Sequence, residues 1–207
     1  MLTALPNLLT LSRIAAIPLL VGLLALRLPW ADLAATLLFA AAAITDYFDG
    51  WLARHWRQMS DFGRMLDPIA DKLLVGAALM VLVGTNRLSR FGLYPAIVIM
   101  LREILVSGLR EYLAETRVGL PVTRLAKWKT AAQLASLGAL IAGDGTASLL
   151  GIGFVPVAVI GEALLWLAAL LTLLTGWDYL TAGLRHAAGP GPSSPTHAPS
   201  QAGGERP

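Results

Sequence analysis

The sequence predicts an all-α integral membrane protein, a bundle of six transmembrane helices with both termini in the cytoplasm. Of its 207 residues, 56% are hydrophobic and only 14% are charged, and the mean hydropathy is +0.66. Soluble domains average about 45–50% apolar and about 25% charged residues, so this chain has too few charges to cover a surface that faces water. The sequence contains no cysteine, which excludes disulfides, thiolate catalysis and cysteine metal sites.

Six apolar stretches are each long enough to cross about 30 Å of hydrocarbon. They cover residues 8–29, 33–56, 66–86, 92–114, 131–150 and 154–175. Because proline can start or kink a helix, we expect Pro18, Pro68 and Pro95 to do so rather than to end these helices. The Pro-, Gly- and Ser-rich segment 187–207 is predicted to be a disordered cytoplasmic tail, which leaves 1–186 as the membrane domain.

The placement of the basic residues predicts the orientation. An even number of spans puts both termini on one side, and thirteen of the sixteen Lys and Arg residues fall on that side. Arg27, Arg87 and Arg90 fall on the other. By the positive-inside rule, the face that holds the termini is cytoplasmic. We therefore expect a protein integral to the cytoplasmic (inner) membrane, with its active site facing the cytoplasm.

Five Asp residues lie close together where the second span ends and the third begins. At about 100° per residue, Asp46 and Asp49 share one face of a helix, and Asp67 and Asp71 share one face of the next. Asp61 is out of phase and is expected to cap a helix. Four carboxylates that converge at the edge of a bilayer need compensating protons or cations. Two divalent ions would balance their charge, and oxygen ligands favour hard ions such as Mg²⁺ or Mn²⁺.

Small residues share the helix faces of these acids, namely Gly50, Ala53 and Gly63. Small residues in membrane helices usually serve close packing between helices. Beside a metal cluster they would also leave room for a ligand as wide as a nucleotide. Arg54, next to Ala53, is placed to bind a phosphate or a neighbouring acid.

Together these residues resemble the signature of the CDP-alcohol phosphatidyltransferase family, with all eight fixed positions present. The chain carries it as Asp46-x2-Asp49-Gly50-x2-Ala53-Arg54-x8-Gly63-x3-Asp67-x3-Asp71. The resemblance implies that CDP-diacylglycerol is a substrate, that the four signature Asp residues bind two Mg²⁺ or Mn²⁺ ions, and that Asp71 also acts as the general base. It further implies a homodimer in membrane lipid, and no nucleic-acid partner is expected. The residues expected to bind CDP-diacylglycerol are Asn7, Thr10, Asp49, Gly50, Ala53, Arg54, Gly63 and Asp67.

Three further segments resemble the branch of the family whose acceptor is sn-glycerol 3-phosphate: 6–13, 102–110 followed by 127–130, and 173–179. The resemblance implies transfer of the phosphatidyl group to this acceptor, which gives phosphatidylglycerophosphate and CMP. Because the acceptor is a dianion near neutral pH, it calls for a cationic pocket. The candidates are Arg102, Ser107, Arg110, Lys127 and Lys129. Arg102 lies deep in the fourth span, so it is expected to face a cavity or a partner, for which Glu103 is the simplest choice.

Two alternatives remain open. The metal motif does not distinguish between acceptors, so inositol phosphate, serine or phosphatidylglycerol could replace glycerol 3-phosphate. A divalent-cation transporter could also use an acidic cluster. Transporters, however, often show inverted repeats with acids near the middle of the membrane, whereas these acids lie at one edge of a chain without a visible repeat.

Overall fold

The computed structural model describes residues 5–56, 61–115 and 124–188, and their regular secondary structure is helical throughout. The six helices are α1 (Leu5–Ala25), α2 (Pro29–Trp56), α3 (Asp61–Gly84), α4 (Leu93–Glu115), α5 (Arg124–Leu149) and α6 (Val157–Ala188). Each apolar stretch predicted from the sequence overlaps one of these helices. The all-helical fold class is therefore confirmed for the part of the chain that the structure describes.

Proline behaves as the sequence predicts. Pro18 lies inside α1 and Pro68 inside α3, while Pro95 lies in the first turn of α4. The predicted tail lies outside the described residues from position 189 onwards, and α6 continues to Ala188. The boundary at 186 stays a prediction.

Within the residues that the structure describes, two helices are long and apolar enough to cross a membrane by length and composition. These segments are Leu8–Ala25 and Val157–Trp177, with hydropathies of 2.1 and 2.3, and Pro29–Thr45 is a shorter apolar helical stretch. Large apolar side chains also cover the outside of the helices, for example Met80 and Trp177, which are 71% and 67% exposed. Such an apolar exterior suits contact with lipid.

The core of the bundle takes apolar side chains from all six helices. Its members include Leu20, Leu24, Phe39, Leu79, Leu82, Ile99, Leu137, Leu140, Ile141 and Leu165. Alanine contributes as well, since Ala35, Ala78 and Ala168 are fully buried. Small residues at these positions let the helix backbones approach closely, as is common between helices in membranes.

Helices α4 and α6 run parallel. Near the start of α4, the backbone N–H and the hydroxyl of Ser89 donate to the carboxylate of Glu162 on α6. Farther along, Arg102 of α4 donates to Thr175 of α6. Both contacts join residues 73 positions apart in the chain, so the two helices advance in the same direction.

Helix α5 packs antiparallel to α6. The hydroxyl of Ser136 donates to the carbonyl oxygen of Gly161 at 2.7 Å, and Asp144 accepts a hydrogen bond from the backbone N–H of Ala158. At Gly161 an added Cβ atom would lie 2.9 Å from Cγ of Leu140. Glycine at this crossing therefore allows the close approach of the two helices.

Arg87 joins three helices at one end of the bundle. Its Nη2 lies 2.5 Å from Oδ1 of Asp32 at the start of α2, and its Nη1 donates to the carbonyl oxygen of Ile141 at 2.9 Å. Ile141 precedes Gly143, where α5 kinks with a φ of 62°. The start of α2 and the ends of α3 and α5 thus meet here. The start of α3 and the start of α5 consequently lie toward the opposite end.

Candidate functional site

A polar pocket lies between α3, α4 and α5, toward the end of the bundle opposite Arg87. Its lining residues are Asp71, Lys72, Val75, Glu103, Lys129, Thr130, Gln133 and Leu134. Asp71 and Lys129 are both site residues predicted from the sequence. The pocket brings a predicted base and a predicted phosphate-binding cation together from helices far apart in the chain, so we treat it as the candidate active site.

Helical spacing determines which α5 residues face the pocket. Lys129 and Gln133 are four residues apart and lie on the same face. Both are buried, with 7% and 5% of their surface exposed. Lys127 is two positions before Lys129, which places it on the other side of the helix, and it is exposed. The structure therefore brings Lys129 into the pocket and leaves Lys127 on the surface.

The Glu103 carboxylate lies between two predicted acceptor-binding cations. Its Oε1 contacts Nζ of Lys129 and lies 3.3 Å from Nη1 of Arg102. All three side chains are largely buried. The sequence suggested Glu103 as a simple partner for Arg102, and the structure shows that contact and adds Lys129 to it. A buried carboxylate between two cations holds them near each other without full charge repulsion.

Lys129 lies just before the predicted fifth span. Its charge state depends on the charged side chains around it. Burial lowers the pKa of the Lys129 ammonium, and Arg102 contributes to that decrease. The carboxylates of Glu103 and Asp71 act on this pKa in the opposite direction. The charge on Lys129 therefore relies on the two acidic side chains of the pocket.

The Arg102 side chain lies against α6. Its Nη2 donates to Oγ1 of Thr175 at 3.1 Å, and this hydroxyl donates in turn to the carbonyl oxygen of Leu171. A Cβ atom added at Gly176 would lie 3.3 Å from Cγ of Arg102 and 3.4 Å from its Nε. Thr175 and Gly176 thus contact the Arg102 side chain and fix its position. This contact gives a physical reason for their presence in the segment 173–179, which carries part of the family resemblance.

At the start of α1, Thr10 and Arg13 lie three residues apart and are both buried, with 1% and 2% exposed. Thr10 was predicted to bind CDP-diacylglycerol. Arg13 is one of the thirteen basic residues on the predicted cytoplasmic side and the last residue of the segment 6–13. The structure places this arginine inside the bundle rather than on its surface.

Arg102, Ser107 and Arg110 are not among the described residues that line the pocket, although Arg102 contacts Glu103, which does line it. Ser107 is half-buried on α4, and Arg110 is exposed one turn beyond it. Glu103 and Gln133 line the pocket but were not predicted as site residues. Glu103 could have been found from its position beside Arg102, and Gln133 from its spacing of four residues after Lys129.

The structure does not describe the side chains of most residues that the sequence predicts to bind the metal ions or the nucleotide. These residues are Asn7, Asp46, Asp49, Gly50, Ala53, Arg54, Gly63 and Asp67, carried by the backbones of α1, α2 and α3. Asp71 is described, and it is exposed at the pocket. Within the described residues, no group of three or more His, Asp or Glu side chains could hold a metal ion. The convergence of four carboxylates stays a prediction.

The fold and the pocket define a helical membrane protein with a charged site at one end of its bundle. A family model described as CDP-alcohol phosphatidyltransferase matches residues 3–174, and the chain belongs to this family. Enzymes of the family are generally dependent on divalent metal ions.

Relatives similar over most of the chain carry the name CDP-diacylglycerol–glycerol-3-phosphate 3-phosphatidyltransferase. The relative from Rickettsia bellii is 44% identical over 178 residues, which is 86% of this chain and 94% of the relative. Another, from Cereibacter sphaeroides, is 41% identical over 211 residues, covering 87% and 96%. A third, from Shigella flexneri, is 43% identical over 179 residues, covering 86% and 93%. The resemblance found in the sequence is thereby confirmed.

Proposed function

We propose that the protein transfers the phosphatidyl group of CDP-diacylglycerol to sn-glycerol 3-phosphate and so produces phosphatidylglycerophosphate and CMP. The observation that carries this proposal is the pocket in which buried Lys129 faces the same space as Asp71. A dianionic acceptor needs a cation in a partly desolvated site, and its hydroxyl needs a nearby base. The names of the relatives support the same reaction.

The acceptor phosphate binds at Lys129, with Arg102 as the second cation. Both already contact Glu103, which holds them in place before the acceptor arrives. Charge-assisted hydrogen bonds to phosphate are among the strongest in proteins, and a site prepared in advance loses less entropy on binding. Ser107, Arg110 and Lys127 remain proposed contributors that would approach the acceptor from outside this pocket.

Asp71 is the proposed general base. An acceptor held by its phosphate at Lys129 presents its hydroxyl on the Asp71 side of the pocket. The hydroxyl oxygen attacks the phosphorus that carries the diacylglycerol, and its proton passes to the Asp71 carboxylate. The bond from that phosphorus to the oxygen shared with CMP breaks, and CMP leaves with the electron pair. No described His side chain lines the pocket and the chain has no Cys, so a carboxylate suits the role.

The metal proposal rests on the donor chemistry of the signature. Asp46 and Asp49 lie on α2, Asp67 and Asp71 lie on α3, and all four offer oxygen ligands that fit Mg²⁺ or Mn²⁺. We propose that these residues hold two such ions, which when bound would stabilise charge on the diphosphate. The CDP-diacylglycerol site would extend over Asn7, Thr10, Gly50, Ala53, Arg54 and Gly63.

We also propose six membrane spans with both termini and the pocket on the cytoplasmic side of the inner membrane, in a homodimer. The contacts of Arg87 support the placement of Arg87 and the pocket at opposite ends of the bundle, because they gather the start of α2 and the ends of α3 and α5 at the end away from the pocket. Both substrates fit this orientation. The acyl tails stay in lipid, while the soluble acceptor and the CMP product enter and leave at the pocket end.

A direct assay tests the proposal. The purified protein in detergent, with CDP-diacylglycerol and Mg²⁺ or Mn²⁺, is supplied separately with glycerol 3-phosphate, inositol phosphate, serine and phosphatidylglycerol. We expect lipid product and CMP in equal amounts with glycerol 3-phosphate as the preferred acceptor. Preference for another acceptor would reassign the substrate. Metal flux through liposomes that lack CDP-diacylglycerol would instead favour a transporter.

A further inference from the structure

The strongest unexplained feature of the pocket is the side chain of Gln133. It is 5% exposed, lies one helical turn after Lys129 on the pocket face of α5, and lines the pocket. Its side-chain oxygen is buried and has no hydrogen-bond partner in the part of the chain that the structure describes. Buried polar atoms in proteins are nearly always paired, so an unpaired one at a pocket wall indicates a missing ligand group.

The neighbouring polar groups of the pocket already have partners. The Lys72 ammonium donates to the carbonyl oxygen of Pro68, and the Thr130 hydroxyl donates to that of Ala126. Glu103 is shared by two cations. Among the described lining residues, Gln133 is therefore the neutral one that carries a buried polar atom without a hydrogen-bond partner.

We propose that the Gln133 amide binds the C2 hydroxyl of the acceptor and so selects sn-glycerol 3-phosphate over phosphorylated alcohols that lack this hydroxyl. The inference rests on the proposed function, in which Lys129 binds the phosphate and Asp71 receives the proton of the reacting hydroxyl. The C2 hydroxyl is then the one polar group of the acceptor that has no partner. A hydroxyl both donates and accepts, so it pairs with either orientation of the amide.

The test compares two acceptors on the full-length protein in detergent. The second acceptor is 3-hydroxypropyl phosphate, which differs from glycerol 3-phosphate by lacking the C2 hydroxyl. For the wild-type protein we expect a kcat/KM for glycerol 3-phosphate at least about tenfold above that for the analogue. The substitution Gln133→Leu should lower the former about tenfold and change the latter less than about twofold, with an unchanged KM for CDP-diacylglycerol.

A matched control comes from the same helix. Ser136 is fully buried, donates to Gly161 and does not line the pocket, so Ser136→Ala should change stability without changing the ratio between the two acceptors. If Gln133→Leu does not fold, Gln133→Met replaces it, because methionine has nearly the same length and no amide.

The outcomes separate the two proposals. A wild-type protein that makes phosphatidylglycerophosphate but uses both acceptors equally well overturns the role of Gln133 alone. A Gln133 variant that loses activity equally with both acceptors also overturns it, because the amide would then serve the structure or the phosphate. A wild-type protein that makes no product from glycerol 3-phosphate overturns the proposed function itself and the inference with it.

Discussion

Lys129 of α5 contacts the carboxylate of Glu103 on α4, so an ion pair inside the pocket joins the two helices that carry the predicted acceptor residues. The same carboxylate also contacts Arg102. In the sequence, Lys129 and Glu103 are 26 positions apart, and no spacing rule connects them. Through Glu103, the structure joins Arg102 and Lys129 into one cluster. We therefore expect these two cations to contribute most to acceptor binding.

Removal of the Glu103 carboxylate should shift the pH dependence of the reaction. Burial lowers the pKa of Lys129, and Glu103 opposes that change, so Glu103→Gln should lower the Lys129 pKa further. If the charged ammonium binds the acceptor phosphate as proposed, activity should be lost at a lower pH as the pH rises. The measurement is kcat/KM for glycerol 3-phosphate against pH. Glu111→Gln, on an exposed face of the same helix, is the control and should keep the wild-type profile.

The two lysines of α5 should differ in importance because they lie on opposite sides of the helix. Lys129 is buried in the pocket, so Lys129→Met should lower kcat/KM for the acceptor by about 10- to 100-fold, the usual effect of losing a hydrogen bond to a charged group. Lys127 is exposed, and Lys127→Met should cause a clearly smaller loss. Steady-state kinetics with varied glycerol 3-phosphate make the comparison. An equal loss in both variants would contradict the placement of the site in this pocket.

Thr175 should act through Arg102. The variant Thr175→Val keeps the shape of the side chain but removes the oxygen that accepts from Arg102, so we expect a higher KM for glycerol 3-phosphate with little change in the KM for CDP-diacylglycerol. Thr172 provides a close control on the same helix. It is fully buried and its hydroxyl has no hydrogen-bond partner among the described residues, so Thr172→Val should leave both KM values near wild type. Equal effects of the two substitutions would show that Thr175 serves only packing.

Local patterns in the sequence predicted the helices, whereas the contacts between helices needed the structure. Apolar stretches and helical spacing were sufficient for the all-helical class and for the prolines, because both depend on residues close together in the chain. Helical spacing made Asp71 a candidate, whereas Lys129 became one through the family resemblance and the charge of the expected acceptor. The contact of Arg102 with Thr175 and the unpaired side-chain oxygen of Gln133 depend on how α4, α5 and α6 pack. A single sequence does not encode that packing in any periodic signal.

Metal dependence can be tested at Asp71, the signature residue whose side chain borders the pocket. Chelation with EDTA should abolish turnover, and Mg²⁺ or Mn²⁺ should restore it. Asp71→Asn keeps the size of the side chain but removes both the negative charge and the basic oxygen, so we expect a folded protein with at least about a 100-fold loss in kcat. Size-exclusion chromatography in detergent checks the fold. Substantial activity of this variant would remove Asp71 from the role of base.

The absence of cysteine makes the proposed orientation directly testable. Phe154 is 84% exposed in the connection between α5 and α6, and Ser200 lies in the C-terminal segment. Each is replaced by cysteine in a separate variant, so that the protein carries a single thiol. With a membrane-impermeant maleimide applied to cells with a permeable outer envelope and an intact inner membrane, we expect labelling of Phe154→Cys before lysis and of Ser200→Cys only after it. Labelling of both positions before lysis would contradict a cytoplasmic C-terminus and, with it, the even number of spans inferred from the basic residues.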